Sequence, residues 1–212
     1  MSQRAQDDEV TLIARSQRGD VDAFNQLILQ YQQQVYSTVY RIVGNADIAA
    51  DITQDAFLSA FRHIKTFRGS SSLRAWLLRI GSNMAYDHWR RTQRHPVESL
   101  DNDAEDDEQY SAGFLNTLAT TAIVDNPEAN LLTQELQELL QSGLQELPLD
   151  QRTAMVLCDI EGLSYDEVAA TTQTTLGTVR SRISRARARL RDYLYRHREL
   201  LPRNYRLSGS NE

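Results

Sequence analysis

Apolar residues along this chain recur every third or fourth position, and no stretch shows the alternation that a half-buried strand requires. Between Asp22 and Val43, the residues Phe24, Leu27, Ile28, Tyr31, Val35, Val39 and Ile42 share one side of a predicted helix, which Gly44-Asn45 ends. A second helix is predicted from about Asp47 to Phe67, with Ile48, Ile52, Ala56, Phe57, Ala60, Phe61 and Ile64 inward. Gly69 and the serines Ser70, Ser71 and Ser72 interrupt it, and serine suits the N-cap of a third helix. That helix places Leu73, Trp76, Leu77, Ile80 and Met84 on one face and ends near Pro96. Asn126 and Pro127 are an N-cap and a first helical residue. The helix they open is lined by Leu131, Leu132, Leu136, Leu139, Leu140 and Leu144 and closed by Pro148. A further helix covers about Asp150 to Glu161, stopped by Gly162.

The stretch from Gly162 onward has its own grammar. Ser164 and Glu167 are spaced as a capping box, which starts a short helix. "TTQTT", residues 171–175, reads as a turn. The next helix begins near Thr175 with Leu176, Val179, Ile183, Ala186, Leu190 and Leu194 inward. Two short helices joined in this way are a helix-turn-helix, whose second member enters the DNA major groove. The prediction is an all-α protein of two small helical domains. Between them, "VESLDNDAEDDEQYSAGF" is acidic, lacks an apolar stripe and is expected to be a flexible linker.

Charge sharpens this division. The net charge is −6, but it is segregated. Phe61 to His95 holds eight basic residues against one acid; Pro96 to Asp150 holds thirteen acids and no Lys or Arg. Arg180 to Arg206 holds ten arginines against two acids. Two basic modules on an acidic tether point to two contacts with a polyanion. In the C-terminal module, Thr178, Arg180, Ser181, Arg182 and Arg185 fall where base contacts arise, since the arginine fork matches the two acceptors of guanine. Arg187, Arg189 and Arg191 lie where phosphates are expected. In the N-terminal module, Arg79, Asn83, Tyr86 and Arg90 form a stripe flanked by Trp76 and Trp89. Cations interleaved with aromatics suit single-stranded nucleic acid, although Trp76 fits a core position equally well. Asp47, Asp51 and Asp55 stack like charges four residues apart, at a cost of a few tenths of a kcal/mol per pair in an isolated helix. That face invites a basic protein partner.

No other chemistry is indicated. The single cysteine, Cys158, excludes an internal disulfide and a multi-cysteine metal site. His63, His88, His95 and His197 are scattered, and no phosphate-binding glycine loop occurs, so the expectation is a non-enzyme without metal or cofactor. No apolar run approaches the roughly 20 residues of a membrane span, and the N-terminus has no signal-peptide core; the reading is cytoplasmic. An ordinary helix-turn-helix regulator, acting on duplex DNA without polymerase, accounts for residues 164–191 but not for the N-terminal stripe or the acidic face.

Three blocks, "ADITQDAFLSAFRHIKTFRG", "SLRAWLLRIGSNMAYDHWRR" and "LPLDQRTAMVLCDIEGLSYDEVAATTQTTLGTVRSRISRARARLR", resemble the extracytoplasmic-function (ECF) sigma factors of bacteria. The resemblance covers roughly residues 10–96 and 130–196. It implies a region-two domain over 1–96, an acidic linker over 97–127, a region-four domain over 128–196 and a tail over 197–212. It further implies a promoter-specificity subunit, bound to core RNA polymerase at the clamp helices of the largest subunit through Asp51, Gln54, Asp55 and Leu58, and docked on the flap through region four. By the same resemblance, the loop and helix carrying Phe67, Arg68, Gly69, Ser70, Ser71, Ser72, Leu73, Arg74, Trp76, Arg79, Asn83, Asp87, Arg90 and Arg91 would capture and hold the melted minus-10 element. Thr178, Arg180, Ser181, Arg182, Arg185 and Arg189 would read the minus-35 element. The linker, Asp101 to Glu108 above all, would thread polymerase channels, and an anti-sigma factor is an expected partner. The turn "TTQTT" departs from the family in lacking the usual glycine or apolar residue.

Overall fold

The computed structural model describes residues 2–92 and 127–201. The expected linker, Asn126 and the tail beyond Leu201 lie outside the described residues, as do the side chains of Leu131 and Leu132. All regular elements among the described residues are helical. The chain divides into two compact units, Met1–Pro96 and Val97–Glu212.

Unit one contains α1 (Ser2–Gln17), α2 (Val21–Val43), α3 (Ala46–His63), a 3₁₀ turn (Ile64–Thr66) and α4 (Leu73–Thr92). The helix starts are chemically explicit. Asp20 accepts from the Ala23 amide at 3.0 Å and from Arg15 Nε at 2.8 Å, so one carboxylate caps α2 and ties it to α1. Asn45 caps α3 through the Ile48 amide, and Ser72 caps α4 through the Ala75 amide. Between α2 and α3, Gly44 takes the left-handed conformation (φ 76°) and donates to the Tyr40 carbonyl.

α2 crosses both α3 and α4, and its Leu27, Val35, Val39 and Ile42 are almost fully buried. One element is new here and one expectation changes. The N-terminal helix α1 carries little apolar signal, yet it contributes Leu12 and Ser16 to the core. The buried face of α4 also lies to one side of the predicted one. It consists of Leu73, Ala75, Leu77, Leu78, Gly81, Ser82 and Ala85, whereas Trp76, Ile80 and Met84 are only half-buried. Gly81 lies where α4 approaches α2 closely. A Cβ added at Gly81 would lie 3.1 Å from Val35 Cγ1 and 3.2 Å from Val39 Cγ2. Both valines are stiff about χ1 and buried, so neither can turn aside. Gly81→Val is expected to lower the stability of unit one by about 1–3 kcal/mol. Thermal unfolding followed by tryptophan fluorescence measures this, since both tryptophans are in this unit; an unchanged midpoint would mean the crossing is looser than the distances state.

Unit two contains α5 (Pro127–Gln145), α6 (Leu149–Met155) continued by a π-helical stretch (Val156–Ile160), α7 (Tyr165–Thr172), α8 (Leu176–Arg196) and a 3₁₀ turn (Arg198–Leu200). Pro127 is the first residue of α5. α6 is central: Leu149, Ala154, Met155, Val156 and Leu157 are buried at 2% exposure or less. Buried Arg152 donates to the Leu147 carbonyl at 3.0 Å, the Gln145 carbonyl at 3.3 Å and the Gln145 side chain. It thus serves acceptors at the C-terminal end of α5, where a cation is favoured. Burial pulls its pKa down to about 10, which still leaves it charged at neutral pH. The capping box that opens α7 is complete, with Ser164 and Glu167 each accepting from the other's backbone amide.

Candidate nucleic-acid interface

The loop between α3 and α4 is held at both ends. On the α3 side, the Gln17 carboxamide donates to the carbonyls of Ile64 (3.2 Å) and Phe67 (2.8 Å). On the α4 side is the Ser72 cap. Between them Arg68, Gly69 and Ser70 are exposed and Ser71 is half-exposed. Gly69 has φ 71° with open space around it, a backbone turn that glycine makes without strain. The rings of Phe67, where the loop leaves the 3₁₀ turn, and Trp76, in the first turn of α4, meet with centroids 5.3 Å apart. Trp76 is therefore neither plain core nor a free stacking platform.

Beyond the loop, α4 presents Arg79, Asp87, Arg90 and Arg91 to solvent, with Arg74, Asn83 and Tyr86 half-exposed. The Arg90 guanidinium sits 5.9 Å from the centre of the Tyr86 ring. The predicted stripe is thus an accessible surface, continuous with the loop.

A different surface lies on α3. Asp47, Asp51, Gln54, Asp55 and Leu58 are all exposed. Leu58 is 48% exposed, a large apolar side chain inside an acidic column. Beside it runs a groove of about 590 Å³ between α2 and α3, whose lining includes Phe24, Ile28, Tyr36, Thr53, Phe57 and Leu58. Acidic residues around apolar contact area form a surface for a partner that is apolar at its centre and basic at its rim.

In unit two, Thr175 caps α8 by accepting from the Thr178 amide at 3.2 Å. Gln173 takes the left-handed conformation (φ 55°), so the turn without glycine is made by a residue that rarely adopts it. Val179, Ile183, Ala186, Leu190 and Leu194 are buried as expected. Leu176 is not; as the first residue of the helix it is 40% exposed. Arg180 and Arg189 are exposed, and Thr178, Ser181 and Arg185 half-exposed. The Ser181 hydroxyl donates to the Thr178 carbonyl at 3.0 Å.

Two arginines on α8 are engaged within the fold. Arg182, expected among the base readers, donates Nη2 to Asp150 Oδ2 at 2.6 Å. Arg187, expected at phosphates, makes a two-pronged bond to Asp159, Nε to Oδ2 at 2.9 Å and Nη2 to Oδ1 at 2.7 Å. The Asp159 side chain has no solvent exposure. Its hydrogen bond to Arg187 raises the pKa of that guanidinium further. Next to it, burial and then the Asp159 charge push the Cys158 thiol up to about 12, so it stays protonated and unreactive at neutral pH. No His, Cys, Asp and Glu cluster suited to a metal occurs among the described residues. No helix among them is long and apolar enough to cross a membrane.

Comparison with known proteins shows the same division. Residues 27–95 match sigma-70 region 2, and residues 137–190 match sigma-70 region 4. The RNA polymerase sigma-H factor of Pseudomonas aeruginosa is 39% identical over 182 residues, covering 86% of this chain and 91% of that protein. The ECF RNA polymerase sigma-E factor of Escherichia coli K12 is 40% identical over 176 residues, covering 83% and 88%. The sigma factor RpoE of Bartonella quintana, solved in complex with the anti-sigma factor NepR, superposes with a TM-score of 0.58 at 26% identity, over 81% of this chain and 96% of that one. CnrH, solved with the cytosolic domain of CnrY, gives 0.59 at 25% identity, over 89% and 97%. An acid-and-leucine face on α3, a suspended loop leading into a basic helix, and a capped helix-turn-helix thus occur in a chain that matches both sigma regions in order, and it belongs to the ECF sigma factors of the sigma-70 family.

Proposed function

We propose that the protein is a promoter-specificity subunit of bacterial RNA polymerase, acting by binding rather than by catalysis. Unit one is the region-two domain. Its α3 face, Asp51, Gln54, Asp55 and Leu58, engages the clamp helices of core polymerase. Its loop, with Phe67, Arg68, Ser70, Ser71, Ser72 and Arg74, receives a base extruded from the minus-10 element. Arg79, Asn83, Asp87, Arg90 and Arg91 on α4 hold the opened strand and the duplex upstream. Extrusion costs a few kcal/mol per base, and a pocket that accepts only the extruded base offsets that cost and selects its sequence. Unit two carries α8 into the minus-35 major groove, where Thr178, Arg180, Ser181 and Arg185 reach base edges and Arg189 meets phosphate. Arg182 and Arg187 brace the helix instead. An anti-sigma factor, like the one bound to the Bartonella quintana relative, is the proposed restraint on the free protein.

The observation that carries this reading is the coexistence, in unit one, of the acid-and-leucine face of α3 with the separate basic loop-and-helix surface. A plain duplex-binding regulator uses neither. The test is run-off transcription with purified bacterial core polymerase on a promoter library, with and without the protein. Initiation at templates sharing two spaced motifs is expected. Arg180→Ala should lower activity about 10- to 100-fold on templates that depend on the upstream motif. Asn83→Ala should slow opening without changing upstream preference. No stimulation of core, alongside duplex binding by the protein alone, would overturn the reading.

A further inference from the structure

The loop proposed to take the minus-10 base is short, exposed and centred on a glycine. Its α4 end is fixed locally, by the Ser72 cap. Its α3 end is held as well by a side chain 47 to 50 residues earlier in the chain. Gln17 is the last residue of α1, and its single carboxamide nitrogen spends both hydrogens on the loop root. The two acceptors bracket the 3₁₀ turn Ile64–Thr66. The Ile64 carbonyl also accepts from the Phe67 amide at 3.1 Å, so turn and side chain converge on one oxygen. Both acceptors are carbonyls, and only the NH₂ end of the amide can satisfy them. Ile64 is 1% exposed and anchors the turn from below. With Phe67 held by Gln17 and Ser72 held by its cap on α4, Arg68 to Ser71 hang between two fixed points. Phe67 is also the residue whose ring lies against Trp76.

We infer that Gln17 is a positioning residue for minus-10 selection: its carboxamide sets the loop root, and with it the Phe67–Trp76 contact beside which an extruded base is judged. The inference rests on the proposed role of that loop. It gives α1, which holds none of the residues proposed to touch polymerase or DNA, a specific part in promoter choice.

Two near-isosteric substitutions separate the mechanism from simple loss of packing. Gln17→Met removes both donors and keeps the volume. Gln17→Glu keeps the shape and aims a carboxylate at two carbonyl oxygens. The full-length variants are assembled with core polymerase and tested on the strongest promoter from the library and on the same promoter with its minus-10 element substituted one base at a time. Thermal midpoint and affinity for core are measured beside them. The expected result is graded discrimination, wild type above Gln17→Met above Gln17→Glu, with the last about tenfold below wild type, while core affinity stays within about twofold. A parallel loss on matched and mismatched templates, or a loss that tracks the thermal midpoint, would show a packing role and overturn the inference. So would unchanged discrimination in Gln17→Glu. If Gln17→Glu fails to fold, Gln17→Met decides by the same criteria. If wild type itself shows no minus-10 preference, the role of the loop fails first and the inference with it.

Discussion

Arg187→Ala lowers the stability of unit two by about 3–5 kcal/mol, and Asp159→Asn costs clearly less, about 1–2 kcal/mol. The asymmetry comes from exposure. The Asp159 side chain is fully enclosed, whereas that of Arg187 is 31% exposed. Truncating the arginine strands an enclosed carboxylate beside the protonated Cys158 thiol, a weak donor that replaces little of the lost pair. Removing the carboxylate's charge leaves a long side chain that can swing its guanidinium to water. Arg187→Ala combined with Asp159→Ala recovers part of the loss, because no buried charge then remains unpaired. Both tryptophans are in unit one, so fluorescence is blind to this transition. Hydrogen exchange of the α8 amides reports it directly. Protection should fall most in Arg187→Ala, and dependence on the minus-35 element should fall with it. A larger cost for Asp159→Asn than for Arg187→Ala would mean that the pair is not enclosed in the way the exposures state.

That pair also marks where the sequence stops being informative. The arginines of α8 are conspicuous as charge, and a charge run reads as a polyanion surface. Their partners, Asp150 and Asp159, lie 32 and 28 residues away, on another helix, and no local spacing links them. The π-helical stretch that carries Asp159 is equally invisible, since the apolar pattern there is nearly continuous. By contrast, the inward stripe of α8 was legible because apolar residues repeat at helical period through Val179, Ile183, Ala186, Leu190 and Leu194. The exception, Leu176, sits at the first helical position, before the stripe has turned inward. The caps at Ser72 and Ser164 were legible because they are local chemistry. α4 misled for the opposite reason. Its buried face mixes Leu73, Leu77 and Leu78 with the small residues Ala75, Gly81, Ser82 and Ala85, which give no hydrophobic signal, so the bulkier Ile80 and Met84 drew the predicted face sideways. α1 went unseen because, of its described side chains, only Leu12 and Ser16 enter the core. The same lack of signal hid Gln17, a polar residue whose importance lies wholly in what it reaches.

Asp51→Lys together with Asp55→Lys is expected to weaken assembly with core polymerase by about 100-fold or more while leaving the fold intact. The two effects can be separated because Asp51 and Asp55 are exposed and lie beyond the first turn of α3, where the helix dipole no longer favours an acid. Asp47, Asp51 and Asp55 are exposed, at helical spacing, with like charges adjacent. Such pairs are unfavourable by a few tenths of a kcal/mol, so altering them leaves stability within about 0.5 kcal/mol of wild type. Asp47 lies in the first turn of α3, where the helix dipole favours an acid, and serves as the control position. At a complementary interface the same reversal acts differently. Lysine against a basic partner replaces attraction by like-charge contact, at a cost of several kcal/mol. Leu58→Ala removes apolar contact from the centre of the face and should cost about tenfold, without the salt dependence of the charge reversal. Fluorescence anisotropy of labelled protein titrated with core polymerase at two ionic strengths gives all three affinities, and thermal unfolding gives the control. Unchanged core affinity in the double reversal would remove α3 from the interface and leave its stacked carboxylates without a purpose. A loss as large in Asp47→Lys alone would shift the contact toward the start of the helix, away from Leu58 and the groove beside it.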